Sequence, residues 1–446
     1  MSGFSSFAVS FSLISVLTGI FANFNFGFRE AGGWIVWSWL LVALGQYLIA
    51  RVMAGLSVRF PIAGYGYQWT TRLMNPHFGF FIGWMLLAQF LTGFPGIAQT
   101  AAVTLSGVAG WSVSQEGIIL ITVLIITLVT LVHLWGIRLA ARVNDLGVYA
   151  ELLGVAIIIL LLVWVVVSVT GADLAKLDFG INAATGQQPG FSSMALSLLL
   201  GAWCLTGFEA AADLAEETQS PEKTVPKAVT RSLIGAAVAG LIILSLLILV
   251  AGDISFSQQQ SNPLMHILEQ AIGVQWTTAI MIFVVISILA CAVASMATAS
   301  RLLYSMSRDG MLPFSGWLSR VNTKTQTPQS ATIAVWAFSC LAVIFFQRIE
   351  VITSVSALAS FIGYAGIMMA CVSDDRKPLS VAALVWSIVV VAALAIPETE
   401  VSGIETRHLP AWSAVLVFAA GISVYFGFVR KRILTGKAGP PPAKTD

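Results

Sequence analysis

Residues 145–169 read DLGVYAELLGVAIIILLLVWVVVSV, a run of 25 positions with only two charges, Asp145 and Glu151. About 20 apolar residues in a helix cross a hydrocarbon core of about 30 Å, so this stretch is read as a membrane span. Eleven more stretches of the same kind occur on either side of it. The twelve expected spans are 7–28, 34–56, 77–107, 117–136, 145–169, 191–214, 228–251, 276–305, 330–347, 351–372, 380–396 and 410–429. The third and eighth are long enough to run tilted or to project beyond the bilayer. Composition agrees: 57% of residues are hydrophobic, 10% are charged, and the mean hydropathy is +0.88. A water-soluble fold could not hide that much apolar surface, and lipid supplies no partners for free backbone groups, so the class is an all-α polytopic membrane protein.

The basic residues give the orientation. With the N-terminus inside, 19 of the 23 Lys and Arg fall on the inner side, among them Arg51, Arg59, Arg72, Arg138, Arg142, Arg301, Arg308, Arg376, Arg430 and Lys444. Only Arg29, Lys176, Arg348 and Arg407 fall outside. Such a bias places both termini in the cytoplasm, in a plasma membrane that we read as the bacterial inner membrane. No basic n-region precedes the first span, so a cleaved signal peptide is not expected. Cys204, Cys291, Cys340 and Cys371 all lie in apolar segments and read as free thiols. The four scattered histidines suggest no metal cluster, no cofactor motif is present, and the net charge of +2 gives no sign of nucleic-acid binding. The basic triplet Arg430-Lys431-Arg432 reads as a topology anchor, with a lipid-headgroup site as a lesser reading. Gly439-Pro440-Pro441-Pro442 belongs to a flexible tail over 431–446.

Helix breaks separate transporters from other bundles. The triplet Leu17-Thr18-Gly19 in the first span returns as Leu205-Thr206-Gly207 in the sixth, at corresponding places if helices 1–5 and 6–10 are two halves. Paired discontinuous helices meeting at mid-bilayer are the mark of inverted-repeat transporters, and glycine makes unwinding cheap. Leu91-Thr92-Gly93 in the third span carries the same triplet, so chance and close packing around glycine stand as the other reading. Intramembrane polar groups follow: Asn23 and Asn25 after the first break, Gln46 and Gln89 in spans two and three, Glu151 in span five, Glu209 and Asp213 on one face after the second break. A carboxyl at membrane depth is a functional candidate by default, so Glu151 and then Glu209 are the candidate proton carriers. The plain alternative for Glu151 is a hydrogen-bonded residue near a helix end. Glu216 and Glu217 read as a solvated helix end.

The segment GFEAAADLAEETQSPEKTVPKA at 207–228 resembles the amino acid–polyamine–organocation transporters. RFPIAGYGYQW at 59–69, where Tyr65 interrupts the expected glycine pair, is similar to that family's loop between helices 2 and 3. Ser300-Arg301 with SRDGMLP at 307–313, and the Gly32-Gly33 turn, also fit. Together these cover roughly residues 8–430 and lean toward the amino acid/choline branch. The resemblance implies a single transmembrane domain over 1–430, with inverted repeats at 7–169 and 191–372 and helices 380–396 and 410–429 appended. It implies alternating access, an amino acid carboxylate on N–H groups around Leu17, Thr18, Gly19 and Ile20, and an ammonium on carbonyls around Val16, Ala202, Trp203 and Leu205. Opposite helix ends suit a zwitterion. Thr206, Gly207 and Gln89 complete the expected site, with Trp203 and Phe208 as aromatic walls or gates; lipid-facing or packing aromatics are the alternative for those two.

Sodium-coupled relatives use hydroxyls of helix 8. The corresponding stretch 290–295 here offers Cys291 and Ser295, poor in hard oxygen ligands. Some proton-linked relatives carry a Lys on helix 5 where this chain has Glu151, so a simple lysine switch is not expected and proton coupling or exchange is favoured over sodium. The expected function is a permease for an amino acid or amino-acid-like zwitterion. The alternative is a carrier of an amine cation such as choline, ethanolamine or a polyamine. A twelve-helix major-facilitator reading lacks its 2–3 loop motif in 57–69, a channel lacks a filter sequence, and an enzyme lacks a His/Asp/Glu constellation. A receptor or scaffold would leave the intramembrane acids without a purpose.

Overall fold

The computed structural model describes residues 2–375, 377–395 and 409–440. Arg376, Arg407, Lys444, the last position of the eleventh expected span (Ile396) and tail residues 441–446 lie outside the described residues. The described residues are almost wholly helical, and their one β-feature is an isolated bridge between Asn322 and Thr327. In chain order the helices are α1 (Gly3–Ile14), α2 (Val16–Ala31), α3 (Ile35–Arg59), α4 (Tyr65–Leu73), α5 (Pro76–Val108), α6 (Gln115–Trp135), α7 (Ile137–Val165), α8 (Phe191–Ser197), α9 (Leu199–Cys204) and α10 (Ala210–Asp213). They continue as α11 (Pro221–Val250), α12 (Ile254–Gln258), α13 (Pro263–Ile272), α14 (Val274–Arg308), α15 (Ser315–Leu318), α16 (Gln329–Phe346), α17 (Ile349–Asp375), α18 (Pro378–Leu394), α19 (Leu409–Val424) and α20 (Arg430–Leu434).

Nine helical runs among the described residues are long and apolar enough to cross a membrane, and 191–204 and Pro378–Leu394 are shorter apolar helices. One of the nine, Gly3–Arg59, is 57 residues long and would measure about 85 Å as a straight rod. It turns back instead at Gly32, where φ is +58°. A side chain at Gly3 would face Thr224, one at Gly33 would meet the Lys176 carbonyl, and Ala63 returns to bond Glu216. The run therefore leaves the end of the bundle marked by Glu216 and Thr224, reaches the opposite end, and comes back.

The packing is that of a bundle in lipid. On α6 the large residues Leu120, Leu124, Leu128 and Trp135 point outward and are exposed, while Thr122, Ile126, Thr130 and His133 are buried. Where helices press closest, glycine sits at the contact. A Cβ at Gly240 on α11 would run into the Trp39 indole of α3, and one at Gly45 on α3 into the Trp386 indole of α18. Trp39 also donates its ring N–H to the Ala237 carbonyl at 2.9 Å. The two longest helices, α5 with 33 residues and α14 with 35, pack on each other and carry the expected overlength. All four cysteines are free.

Gly240→Ala should therefore destabilise the protein by about 1–3 kcal/mol through overpacking. Gly55→Ala, which meets open space on α3, should be neutral or slightly stabilising. Thermal unfolding of the two purified variants in one detergent decides this.

Candidate functional site

Two of the spans are interrupted, and the interruptions face each other. In the first, Ser15 alone leaves helical geometry, with φ +33° and ψ 92°. Its hydroxyl accepts the Thr18 N–H at 3.2 Å and contacts the Thr18 hydroxyl at 2.5 Å and the Ser287 hydroxyl at 3.2 Å. Its carbonyl accepts the Gly19 N–H at 2.9 Å. Ser15 is thus the N-cap of α2, and Leu17-Thr18-Gly19, expected to be the break, forms the first turn of the second half-helix.

The carbonyls at the end of α1 meet two thiols. Cys291 of α14 donates to the Leu13 carbonyl at 3.4 Å, and Cys204 of α9 approaches those of Ile14 and Ser15 at 3.8 and 3.9 Å. Gly19 is where α2 crosses α9: a Cβ there would collide with the Cys204 side chain.

The second interruption is longer. α9 stops at Cys204, the chain is irregular from Leu205 to Glu209, and Gly207 takes φ +93°. Here the Leu-Thr-Gly triplet does lie in the break. Several of the backbone groups released there find a buried partner from another span or from the segment itself. Gln46 donates to the Leu205 carbonyl at 2.9 Å, and Ser10 donates to the Phe208 carbonyl at 2.7 Å while accepting the Ala211 N–H at 2.9 Å. Glu209 folds back to accept the Gly207 N–H at 3.0 Å on one oxygen, and takes Gln89 at 3.0 Å and the Tyr364 hydroxyl at 2.8 Å on the other. Ser10 and Tyr364 were not singled out by sequence; a lone Ser or Tyr in an apolar span gives no distinguishing signal.

Between the breaks lies a cavity of about 30 Å³. Of the expected site residues, Thr18, Gln89, Trp203, Thr206 and Gly207 line it, joined by Leu13, Ile14, Phe90, Cys204, Cys291, Ser295 and Ser356. Gln89 Oε1 is buried without a hydrogen-bond partner. Val16, Leu17, Ile20, Ala202, Leu205 and Phe208 are buried in the surrounding helix contacts, Phe208 against the Tyr364 ring at 5.9 Å. Glu151 and Glu209 stand behind the wall. Glu151, on α7, sits near the Ser15 and Ser287 hydroxyls and the Val16 and Leu17 N–H groups, yet its Oε1 makes no hydrogen bond of ordinary length. The start of α2 is therefore closed off within the protein: Ser15 takes two of its N–H groups and a carboxyl faces the other two.

The two ends of the bundle differ. At the end away from most basic residues a vestibule of about 480 Å³ is lined by Asn25, Arg29, Glu30, Gln99, Arg348 and Glu350, among others. Asn23 and Asn25 act there as pins, Asn23 accepting from Thr353 at 2.9 Å and Asn25 from the Leu264 N–H at 2.9 Å. The basic end is sealed. Asp213 accepts the Gly64 N–H at 2.8 Å, Glu216 accepts the Ala63 N–H at 3.2 Å and pairs with Arg308 at 3.3 Å, and Glu217 pairs with Arg301 at 3.0 Å. Glu216 and Glu217 are thus parts of an interhelical seal; the expectation of a plain solvated end missed it because both partners lie over 80 positions away in sequence. Asp309 accepts Tyr67 at 2.9 Å and Gln68 at 2.7 Å. Burial, with Asp309 alongside, pushes the Tyr67 hydroxyl well above its ordinary range, so it stays a neutral donor. Among the described residues no group of three or more His, Cys, Asp or Glu is placed to hold a metal ion.

Glu209→Gln puts an amide NH₂ against either the Gly207 N–H or the Gln89 and Tyr364 donors. We expect a loss of about 1–3 kcal/mol, seen as a lower thermal midpoint. A midpoint that rises would mean that Glu209 is neutral in the folded protein and not the acceptor that fixes the break.

Comparison with known proteins places this architecture. The family described as "Amino acid permease" matches residues 1–425, so the chain belongs to that family. It is 24% identical over 399 residues to the amino-acid permease BAT1 of Arabidopsis thaliana, covering 82% of this chain and 76% of that one. An uncharacterised amino-acid permease of Schizosaccharomyces pombe is 25% identical, covering 82% of this chain and 67% of its own. The low-affinity putrescine importer PlaP of Escherichia coli is 27% identical over 315 residues, covering 67% of this chain and 65% of its own.

Proposed function

We propose that this amino acid permease family member is a secondary active transporter, moving an amino acid or amino-acid-like zwitterion by alternating access. The observation that carries the reading is the meeting of two interrupted helices at one small cavity. The carbonyl end of α1 and the N–H end of α2 are both there, and so are the carbonyls at the end of α9. Partial charges of opposite sign at adjacent helix ends suit a zwitterion without a charged side chain. On this reading the chain crosses the membrane twelve times. The five helices over 7–169 are repeated inverted over 191–372, the spans at 380–396 and 410–429 are appended, and both termini face the cytoplasm of a bacterial inner membrane. The vestibule is then the outer entrance and the Arg308–Glu216 side the closed inner gate. A cavity of about 30 Å³ holds about one water, so substrate entry requires the flanking spans to part.

Glu151 supplies the coupling. Its carboxyl and a substrate carboxylate compete for the N–H groups of Val16 and Leu17. A proton on Glu151 removes the rival negative charge, so proton and substrate favour each other's binding by linkage. Sodium fits less well, since Cys291 and Ser295 are weak ligands for a hard cation. The similarity to a putrescine importer favours a second reading, transport of an amine cation. Gln89 Oε1, the carbonyls of Leu13 and Ile14, and the Trp203 face would then hold the amine. Glu209 already accepts three hydrogen bonds and is ill placed to serve.

Uptake into proteoliposomes and thermal stabilisation by ligands test both readings. Stabilisation by amino acids but not by their decarboxylated analogues supports the zwitterion; the reverse supports the amine. Glu151→Gln should bind substrate without needing a proton and lose the pH dependence of uptake. If uptake by this variant still follows pH as in the wild type, Glu151 is not the proton carrier.

A further inference from the structure

The basic end carries a second pocket, of about 500 Å³, unrelated to the substrate cavity. It lies between the C-terminal segment and the end of α14, and Ser307, Arg308, Asp309, Arg432 and Lys437 line it. The C-terminal segment is docked there. The Gly439 N–H donates to the Asp309 carbonyl at 2.9 Å. Gly310, at φ +72°, lies so near the segment that an added Cβ would stand 2.8 Å from the Lys437 carbonyl oxygen and 2.9 Å from Arg432 Nη2. Arg432 and Lys437 are thereby held across from Arg308.

Three cations and one acid line the pocket, and the acid is turned elsewhere. Asp309 Oδ2 is taken by Tyr67 and Gln68, and its Oδ1 is 3.7 Å from Arg308 Nε. Arg308 also reaches Glu216, outside the pocket. Arg432 stacks on the Phe428 ring at 5.0 Å and gives one N–H to the Lys437 carbonyl at 3.3 Å. Its Nε and the Ser307 hydroxyl are both buried without a hydrogen-bond partner. A topology anchor needs only exposed basic residues, as Arg430 and Lys431 provide, and Arg430 too lies over a ring, that of Phe426, at 5.7 Å. It does not explain an arginine whose buried Nε–H has no partner beside an unpartnered serine hydroxyl. Converging cations with unmet donors are what a tetrahedral oxyanion satisfies, arginine in particular through its fork of N–H groups.

We infer that this pocket binds a phosphate group, carried either by an anionic phospholipid headgroup at the membrane surface or by soluble phosphate. The inference rests on this end of the bundle alone and stands apart from the transport reading. The test uses the full chain. Its thermal midpoint is measured in detergent with inorganic phosphate against chloride at equal ionic strength, and in nanodiscs of phosphatidylcholine with and without phosphatidylglycerol. The wild type should be stabilised by phosphate or by phosphatidylglycerol, and the R432Q/K437Q double variant should bind about tenfold or more weakly. A shift with inorganic phosphate identifies a soluble ligand; a shift with phosphatidylglycerol only identifies a headgroup. Equal wild-type midpoints within both pairs of conditions overturn the inference, as does a double variant that keeps the full wild-type shift. Should the double variant fail to fold, K437Q alone replaces it, with a partial loss expected and full retention counting against the site.

Discussion

The backbone in lipid has no water to fall back on, and that constraint organises this molecule. Leaving one N–H or C=O unpaired at membrane depth costs several kcal/mol, so a helix can be interrupted there only if side chains take over its hydrogen bonds. At the first interruption Ser15 does so within its own turn. At the second, Ser10, Gln46 and Glu209 each cover a group that the helix has given up. Tyr364 and Gln89 then hold Glu209, which ties spans three, six and ten into one network. The cavity lies where these groups cover backbone that two interrupted helices have released.

The three copies of Leu-Thr-Gly show how far sequence carries. All three are equally able to unwind, and each has a different fate. In the sixth span the triplet is unwound, with Gly207 in the left-handed region. In the first it opens a helix, because Ser15 three residues before Thr18 is a better place to start: a hydroxyl there caps the third N–H of the new helix. In the third it stays within α5, where Thr92 bonds back to the Ala88 carbonyl at 2.8 Å and Gly93 makes room for Ser356. Local propensity marked the candidates; partners from distant spans chose among them. The cap at Ser15 was legible, and reading the first span by its helix-start signal would have placed the break correctly.

The apolar helices were legible because hydropathy is a local sum, and nine runs among the described residues are long and apolar enough to cross a membrane; the stretches 59–69 and 307–313 were legible because their residues are distinctive. Five expected site residues line the cavity; the rest lie in its packing shell, since sequence gives a helix break but not which face of each half-helix looks inward. Glu151 illustrates both sides. Its presence in an apolar run was plain from the sequence. Its proximity to the start of α2 depends on α7 passing close to α14 and α2, which small residues permit: an added Cβ on Gly147 would strike Ala290, and one on Gly154 would press Phe283 and Leu17.

A single residue, Ser15, joins α1 to α2, and this sets a mechanical scale. The twelve residues of α1 form an arm of about 18 Å. Pivoted at one end, such an arm amplifies: a rotation of about a tenth of a radian moves its far tip by roughly 2 Å, while the atoms at Ser15 scarcely shift. The tip, Gly3, rests beside Thr224 on α11 with room to spare, the nearest side-chain atom standing 3.8 Å from where a Cβ would be. Beside it Phe4 stacks on the Tyr149 ring at 5.3 Å and the Ser5 hydroxyl donates to Asp145 at 3.4 Å, so a rotation of the first half-helix is felt at its far end by α7, away from the cavity.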